Sequence, residues 1–224
     1  FAGVYMGNQT SEPAVRNLVD QSDCLMILGE TLTDMTLGFE SPQFTKRQTI
    51  FCSIEGLKVR NHDYSSIQFV DFCEQLFKLN LGTGGRTLPE FESPEHQEFV
   101  PAPVKITTER FFDKINCMLK DKFALVVDIG EVLFGASTLK VSHHQFISPA
   151  FYCSMGPAIP GALGVGLAKP DLRTIVLVGD GAFQMSLSEL GTILDNKLNP
   201  IVFVLNNHGY TTERFLLEGK FNDI

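Results

Sequence analysis

The stretch Thr174-Ile-Val-Leu-Val-Gly-Asp-Gly181, followed by Ile201-Val-Phe-Val-Leu-Asn-Asn207, decides the fold of this 224-residue chain. Val176-Leu-Val178 is apolar throughout rather than alternating, the pattern of a parallel strand covered on both faces. Ile201–Val204 repeats it. Between them Leu187, Leu190, Ile193 and Leu194 recur at helical spacing, which predicts one helix over about Phe183 to Lys197. Asn199-Pro200 ends that helix before the second strand. Two strands and a crossover helix of this kind belong to an α/β sheet.

The strand ends carry the chemistry. Gly179 and Gly181 permit a tight turn and close backbone approach to a ligand. Asp180 places a carboxylate at the end of one strand, and Asn207 an amide oxygen at the end of the next. Hard oxygen donors beside a diphosphate suit Mg²⁺, and the N–H groups that open the following helix suit a phosphate. Gly-Asp-Gly alone also fits an ordinary turn; the paired asparagines at the next strand end favour the cation site.

Upstream, Thr107 or Thr108 caps a helix through Leu119 that turns Phe111, Phe112, Ile115 and Leu119 inward. Phe123-Ala-Leu-Val-Val127 follows as a strand with Asp128 and Gly130 at its carboxyl end, where open α/β sheets place their ligands. Further toward the N-terminus, Pro13 opens a helix with Val15, Leu18 and Val19 as its apolar positions. Cys24–Leu28 and Thr49–Ile54 read as strands, and Phe69 to Phe77 as a helix. Residues 1–80 therefore form one small α/β domain and 105–224 another. The Gly- and Pro-rich segment 81–104 is a linker. No GxGxxG occurs in the first domain, and no NAD or FAD site is expected there.

Net charge is −8 with no basic cluster, which argues against nucleic acid or an anionic membrane as partner. No apolar run reaches membrane-spanning length. Five dispersed cysteines without CxxC spacing read as thiols of a reducing compartment, and a cytoplasmic location is expected. The start at Phe1 and the end soon after Glu213 suggest a piece of a longer polypeptide.

Gly179 to Asn207 resembles the thiamine-diphosphate signature, which begins GDG and ends NN. His208-Gly-Tyr-Thr-Thr-Glu213 resembles the same region of the thiamine-diphosphate-dependent 2-oxo acid decarboxylases that act on pyruvate, indolepyruvate and phenylpyruvate. The resemblance implies two parallel-sheet three-layer domains: a central support domain, then a thiamine-diphosphate-binding fold truncated at its C-terminus. It implies thiamine diphosphate and Mg²⁺ as cofactors, with the metal held by Asp180, Asn207 and the Gly209 carbonyl. Gly179, Gly181, Ala182, Tyr210, Thr211 and Thr212 fall within the cofactor-binding segments.

Tyr152-Cys-Ser-Met-Gly156 resembles the segment that bends the cofactor. There Met155 would wedge between its rings, while the backbone of Cys153, Ser154 and Met155 meets the aminopyrimidine. In Asp128-Ile-Gly-Glu131, Gly130 and Glu131 match a cofactor-side segment. Glu131 departs from the hydroxyl residue often found there and, with Ala150-Phe-Tyr152 and Phe221-Asn-Asp223, is closer to the phenylpyruvate and indolepyruvate enzymes. Glu213 would be the catalytic carboxylate.

The implied activity is conversion of a 2-oxo acid to an aldehyde and CO₂ in a homodimer or homotetramer with the site at a subunit interface, and a chain of this extent would be inactive alone. Another thiamine-diphosphate class, of the acetolactate synthase or benzoylformate decarboxylase type, and a non-catalytic relative are the alternatives. His143-His144 is read as a solvated loop pair, and Glu189 as a surface residue.

Overall fold

The computed structural model describes residues 3–8, 12–33, 36–38, 42–82, 99–119, 122–142, 144–216 and 219. These fall into two units, residues 1–95 and 96–224. Most of the expected linker, His143, and the Phe221–Asp223 stretch lie outside the described residues.

In the first unit Pro13 opens α1 (Pro13–Asp20), with Val15 buried. Its last residue, Asp20, accepts a 2.6 Å hydrogen bond from the Tyr5 hydroxyl. Burial, reinforced by that carboxylate, pushes the Tyr5 phenol well above its ordinary value. The strands β1 (Leu25–Leu28), β2 (Thr49–Ser53), β3 (Gly56–Val59) and β4 (His62–Tyr64) form one sheet in that order. β1 and β2 pair in parallel, but β1, whose apolar run reads as a buried strand, alternates half-buried and exposed residues. β3 and β4 then add an antiparallel meander. β4 is exposed at every residue, so it carries no apolar run from which it could be read. Helix α2 (Phe69–Lys78) packs on β2 and β3.

The second unit has three layers. Its sheet runs β6-β5-β7-β8, all parallel, with β5 at Phe123–Val127, β6 at Phe146–Ile147, β7 at Arg173–Gly179 and β8 at Ile201–Leu205. Successive side chains of a strand point to opposite faces, and both faces are covered. Ala124, Val126, Val176 and Val178 pack with Ala158, Ile159, Ala162 and Val165 of α5 (Ala158–Ala168). Leu125, Val127, Ile175 and Leu177 pack with Phe112 and Ile115 of α3 (Thr108–Met118) and with Val132 and Ala136 of α4 (Glu131–Ala136). Each fully buried aliphatic side chain here contributes about 1.5–3 kcal/mol. Thr107 caps α3 by accepting from the Arg110 N–H.

The crossover after β7 differs from the single helix expected over 183–197. It begins at Asp180, with no intervening turn, and divides into α6 (Asp180–Ser186) and α7 (Glu189–Asp195). Between them the Leu190 N–H bonds the Leu187 carbonyl and the Gly191 N–H bonds that of Ser188, each spanning three residues rather than four. This tighter winding resets the helical phase. Ile193 stays buried, while Leu187 and Leu194 are 47% and 72% exposed instead of sharing its face. Glu189 is half-buried rather than on the open surface.

Gly135 lies against the buried Phe112 ring, so closely that a Cβ there would overlap it. Gly135→Ala is therefore expected to lower stability by about 1–3 kcal/mol through overpacking, measured as a shift of the denaturant midpoint.

Candidate functional site

The candidate residues are gathered by the carboxyl ends of β5, β7 and β8. Val127 lies level with Leu177, and Gly179 level with Leu205. Asp180 is thus the first residue beyond β7, and Asn207 is two residues beyond the neighbouring β8. Gly179 supplies no side-chain cap to α6, and a Cβ placed on it would meet nothing within 4 Å. The space beside Gly179 is open on that side. α6 has only seven residues, so direct N–H contacts carry more of any phosphate affinity here than a helix dipole does.

Residues 206–214 fold back over the same edge. The Tyr210 ring lies directly on Gly181, where a Cβ would collide with it. The Thr212 hydroxyl is 3.8 Å from the position of a Cβ on Gly130. Gly209 has φ +135°, a conformation side chains rarely adopt, and Arg214 holds this turn by donating 3.1 Å to the His208 carbonyl. The His208 N–H in turn bonds the Asn206 side-chain oxygen at 3.0 Å. Thr211 and Thr212 begin α8 (Thr211–Leu216), with Glu213 exposed in its first turn.

Glu131 joins this group. Gly130, at φ +99°, turns the chain out of β5 and into α4, which Glu131 opens. The Asn207 Nδ2 donates to Glu131 Oε2 at 2.9 Å. Asn207 Oδ1, the Asp180 carboxylate and the Gly209 carbonyl remain as hard oxygen donors of the kind Mg²⁺ takes, although the carbonyl already accepts from the Thr211 N–H. Among the described residues no three His, Cys, Asp or Glu side chains converge as a metal cluster; this donor set needs only one carboxylate.

The Cys153–Gly156 segment is held by a residue that sequence reasoning placed but gave no role. Asp128 is completely buried. Its Oδ1 accepts from the N–H groups of Ile129 (2.9 Å) and Gly156 (3.0 Å), and its Oδ2 from Ala158 (2.9 Å) at the start of α5. Ser186 Oγ donates to the Gly156 carbonyl at 2.6 Å. Gly156 is therefore clamped on both sides, between the ends of β5 and α6. An acidic residue directly after an apolar strand and just before a glycine turn was the available signal. Met155 is half-buried against the α5 side of the core, and Ala182 is buried in that core. Cys153 and Ser154 are exposed, and Cys153 sits at φ +53°. Phe151 and Tyr152 are each 85% exposed, in an edge-to-face pair at 5.6 Å. His144 is exposed.

Replacing Asp128 with Asn turns one acceptor into a donor facing a buried N–H. It should cost about 3 kcal/mol in unfolding free energy, read from urea denaturation. At Cys153 the left-handed backbone sets a different expectation. Cys153→Gly should leave the melting temperature unchanged or raised, whereas the β-branched Cys153→Val should cost about 1–3 kcal/mol.

Residues 128–223 match the family described as thiamine pyrophosphate enzyme, C-terminal TPP binding domain. Across its whole length the chain is 31% identical to an alpha-keto-acid decarboxylase of Mycolicibacterium paratuberculosis, covering 40% of that protein. Over 96% of its length it is 31% identical to an alpha-keto-acid decarboxylase of Mycobacterium leprae, covering 38% of it. Over the same share it is 27% identical to a pyruvate decarboxylase of Kluyveromyces lactis, covering 39% of it. The chain thus spans about 40% of the length of these relatives. The family match thus covers residues 128–223, and the chain as a whole is similar to the alpha-keto-acid and pyruvate decarboxylases.

Proposed function

We propose that this chain carries the diphosphate- and cation-binding half of an enzyme that decarboxylates a 2-oxo acid of the pyruvate, phenylpyruvate or indolepyruvate type to an aldehyde and CO₂. The observation that carries the reading is the placement of Asp180, Asn207 and Gly209 beyond two neighbouring parallel strands, with Asn207 bonded to Glu131 from a third. The relatives' names support the same chemistry.

In this reading the Asp180 carboxylate, the Asn207 Oδ1 and the Gly209 carbonyl hold Mg²⁺. The backbone at Gly179, Gly181 and Ala182 approaches the diphosphate. Gly130, Tyr210, Thr211 and Thr212 close over it. Met155 would support the cofactor from its half-buried seat, and the Cys153 carbonyl and the Met155 N–H would meet the aminopyrimidine, with Ser154 between them. Bound thiamine diphosphate supplies an electron sink for the carbon that loses CO₂. Glu213, exposed in the first turn of α8, would hold and deliver a proton through its carboxyl group. The relatives are longer than this chain, and the proposed active form is a homodimer or homotetramer in the cytoplasm, with a chain of this extent inactive by itself. No helix among the described residues is long and apolar enough to cross a membrane.

Glu213→Gln in the full-length protein is expected to reduce aldehyde formation by about 100-fold or more. Calorimetry should show thiamine diphosphate binding preserved. Near-normal turnover would remove Glu213 from this role.

A further inference from the structure

Glu131 stands where it can do something other than touch the cofactor. It opens α4 beyond β5, while Asn207 follows β8, and the two strands are not neighbours: β7 lies between them. Their 2.9 Å hydrogen bond therefore spans the end of β7, where Asp180 begins α6. An asparagine carboxamide can present its oxygen or its nitrogen in nearly the same space, because its terminal torsion is broad. An ionised carboxylate only accepts hydrogen bonds. Asn207 can satisfy Glu131 only through Nδ2, and this choice turns Oδ1 away from Glu131.

We propose that Glu131 is a positioning residue that fixes the Asn207 carboxamide with its oxygen, rather than its NH₂ group, presented to a divalent cation held with Asp180. The inference rests on the proposed cation site and deepens it. Without the carboxylate, the amide turns freely, and in its flipped form the positive end of the NH₂ group faces the cation. Glu131 then acts on the metal through Asn207, as outer partners of metal ligands do. A glutamine at 131 retains an acceptor oxygen of the same reach; its own NH₂ can also turn toward Asn207, but the pairing that leaves Asn207 Oδ1 to the cation stays open to it, whereas alanine offers no acceptor. Because both side chains are exposed, neither substitution threatens the core.

The test uses the full-length protein with saturating thiamine diphosphate and Mn²⁺ as a paramagnetic probe, its dissociation constant read by electron paramagnetic resonance. Glu131→Ala should weaken Mn²⁺ binding by about 10- to 100-fold, with the melting temperature of the metal-free protein unchanged. Glu131→Gln should stay within about threefold of the unsubstituted protein, since the acceptor is kept. Equal or tighter Mn²⁺ binding by Glu131→Ala overturns the positioning role alone. So does a Glu131→Gln loss as large as that of alanine, which would show that charge and not orientation matters. Absence of cofactor-dependent Mn²⁺ binding in the unsubstituted protein overturns the cation site itself, and the inference with it.

Discussion

The buried carboxylate of Asp128 is the constraint on which the second unit's working edge depends. It sits at the end of β5, fully out of water, and gathers N–H groups from its own turn, from Gly156 and from the start of α5. A buried carboxylate is tolerated only when its oxygens are satisfied, and three backbone donors achieve this. The same bonds serve the donors. Pro157, preceding α5, offers no side-chain cap, so Asp128 does from a distant strand what a neighbouring Ser or Asp commonly does. Through Gly156 it also sets where Met155 and Cys153 lie relative to the sheet.

Around this rigid point the candidate site is assembled from turns that need unusual backbone. Gly130, Gly156 and Gly209 all have positive φ, as do Cys153 and His208, which are not glycines. Left-handed non-glycine residues are held in place only where their surroundings over-determine them. Here the surroundings are specific: Cys153 donates its N–H to the Pro149 carbonyl, and His208 is bonded on both its N–H and its carbonyl. The parallel core beneath supplies the rigidity, while the ligand-facing groups ride on loops at its carboxyl edge.

Much of this was legible from local pattern. The strands at 123–127, 173–179 and 201–205 are runs of apolar residues, and buried parallel strands need such runs. Thr107 announced α3, and Pro13 announced α1. The antiparallel β3 and β4 were not legible: β3 is a short Gly-Leu-Lys-Val segment that depends on pairing with β2, and β4, exposed throughout, depends on pairing with β3 rather than on its own composition. Nor was the break between α6 and α7. Leu187, Leu190, Ile193 and Leu194 keep perfect helical spacing, but the three-residue bonds at Leu187 and Ser188 change the phase without changing the sequence pattern.

For the site, the sequence by itself determined which chemical groups stand at the strand ends: a carboxylate at Asp180, an amide at Asn207 and a glycine turn at 130. Strand ends are defined by local apolar runs, and the residues that follow them are read directly. Only the tertiary structure decided which of these groups meet. The Glu131–Asn207 bond joins residues 76 apart, and the Asp128–Ala158 bond residues 30 apart. Such contacts follow from strand order and register, which arise when a sheet closes its hydrogen bonds and buries both faces at once, and no stretch of chain carries that information alone.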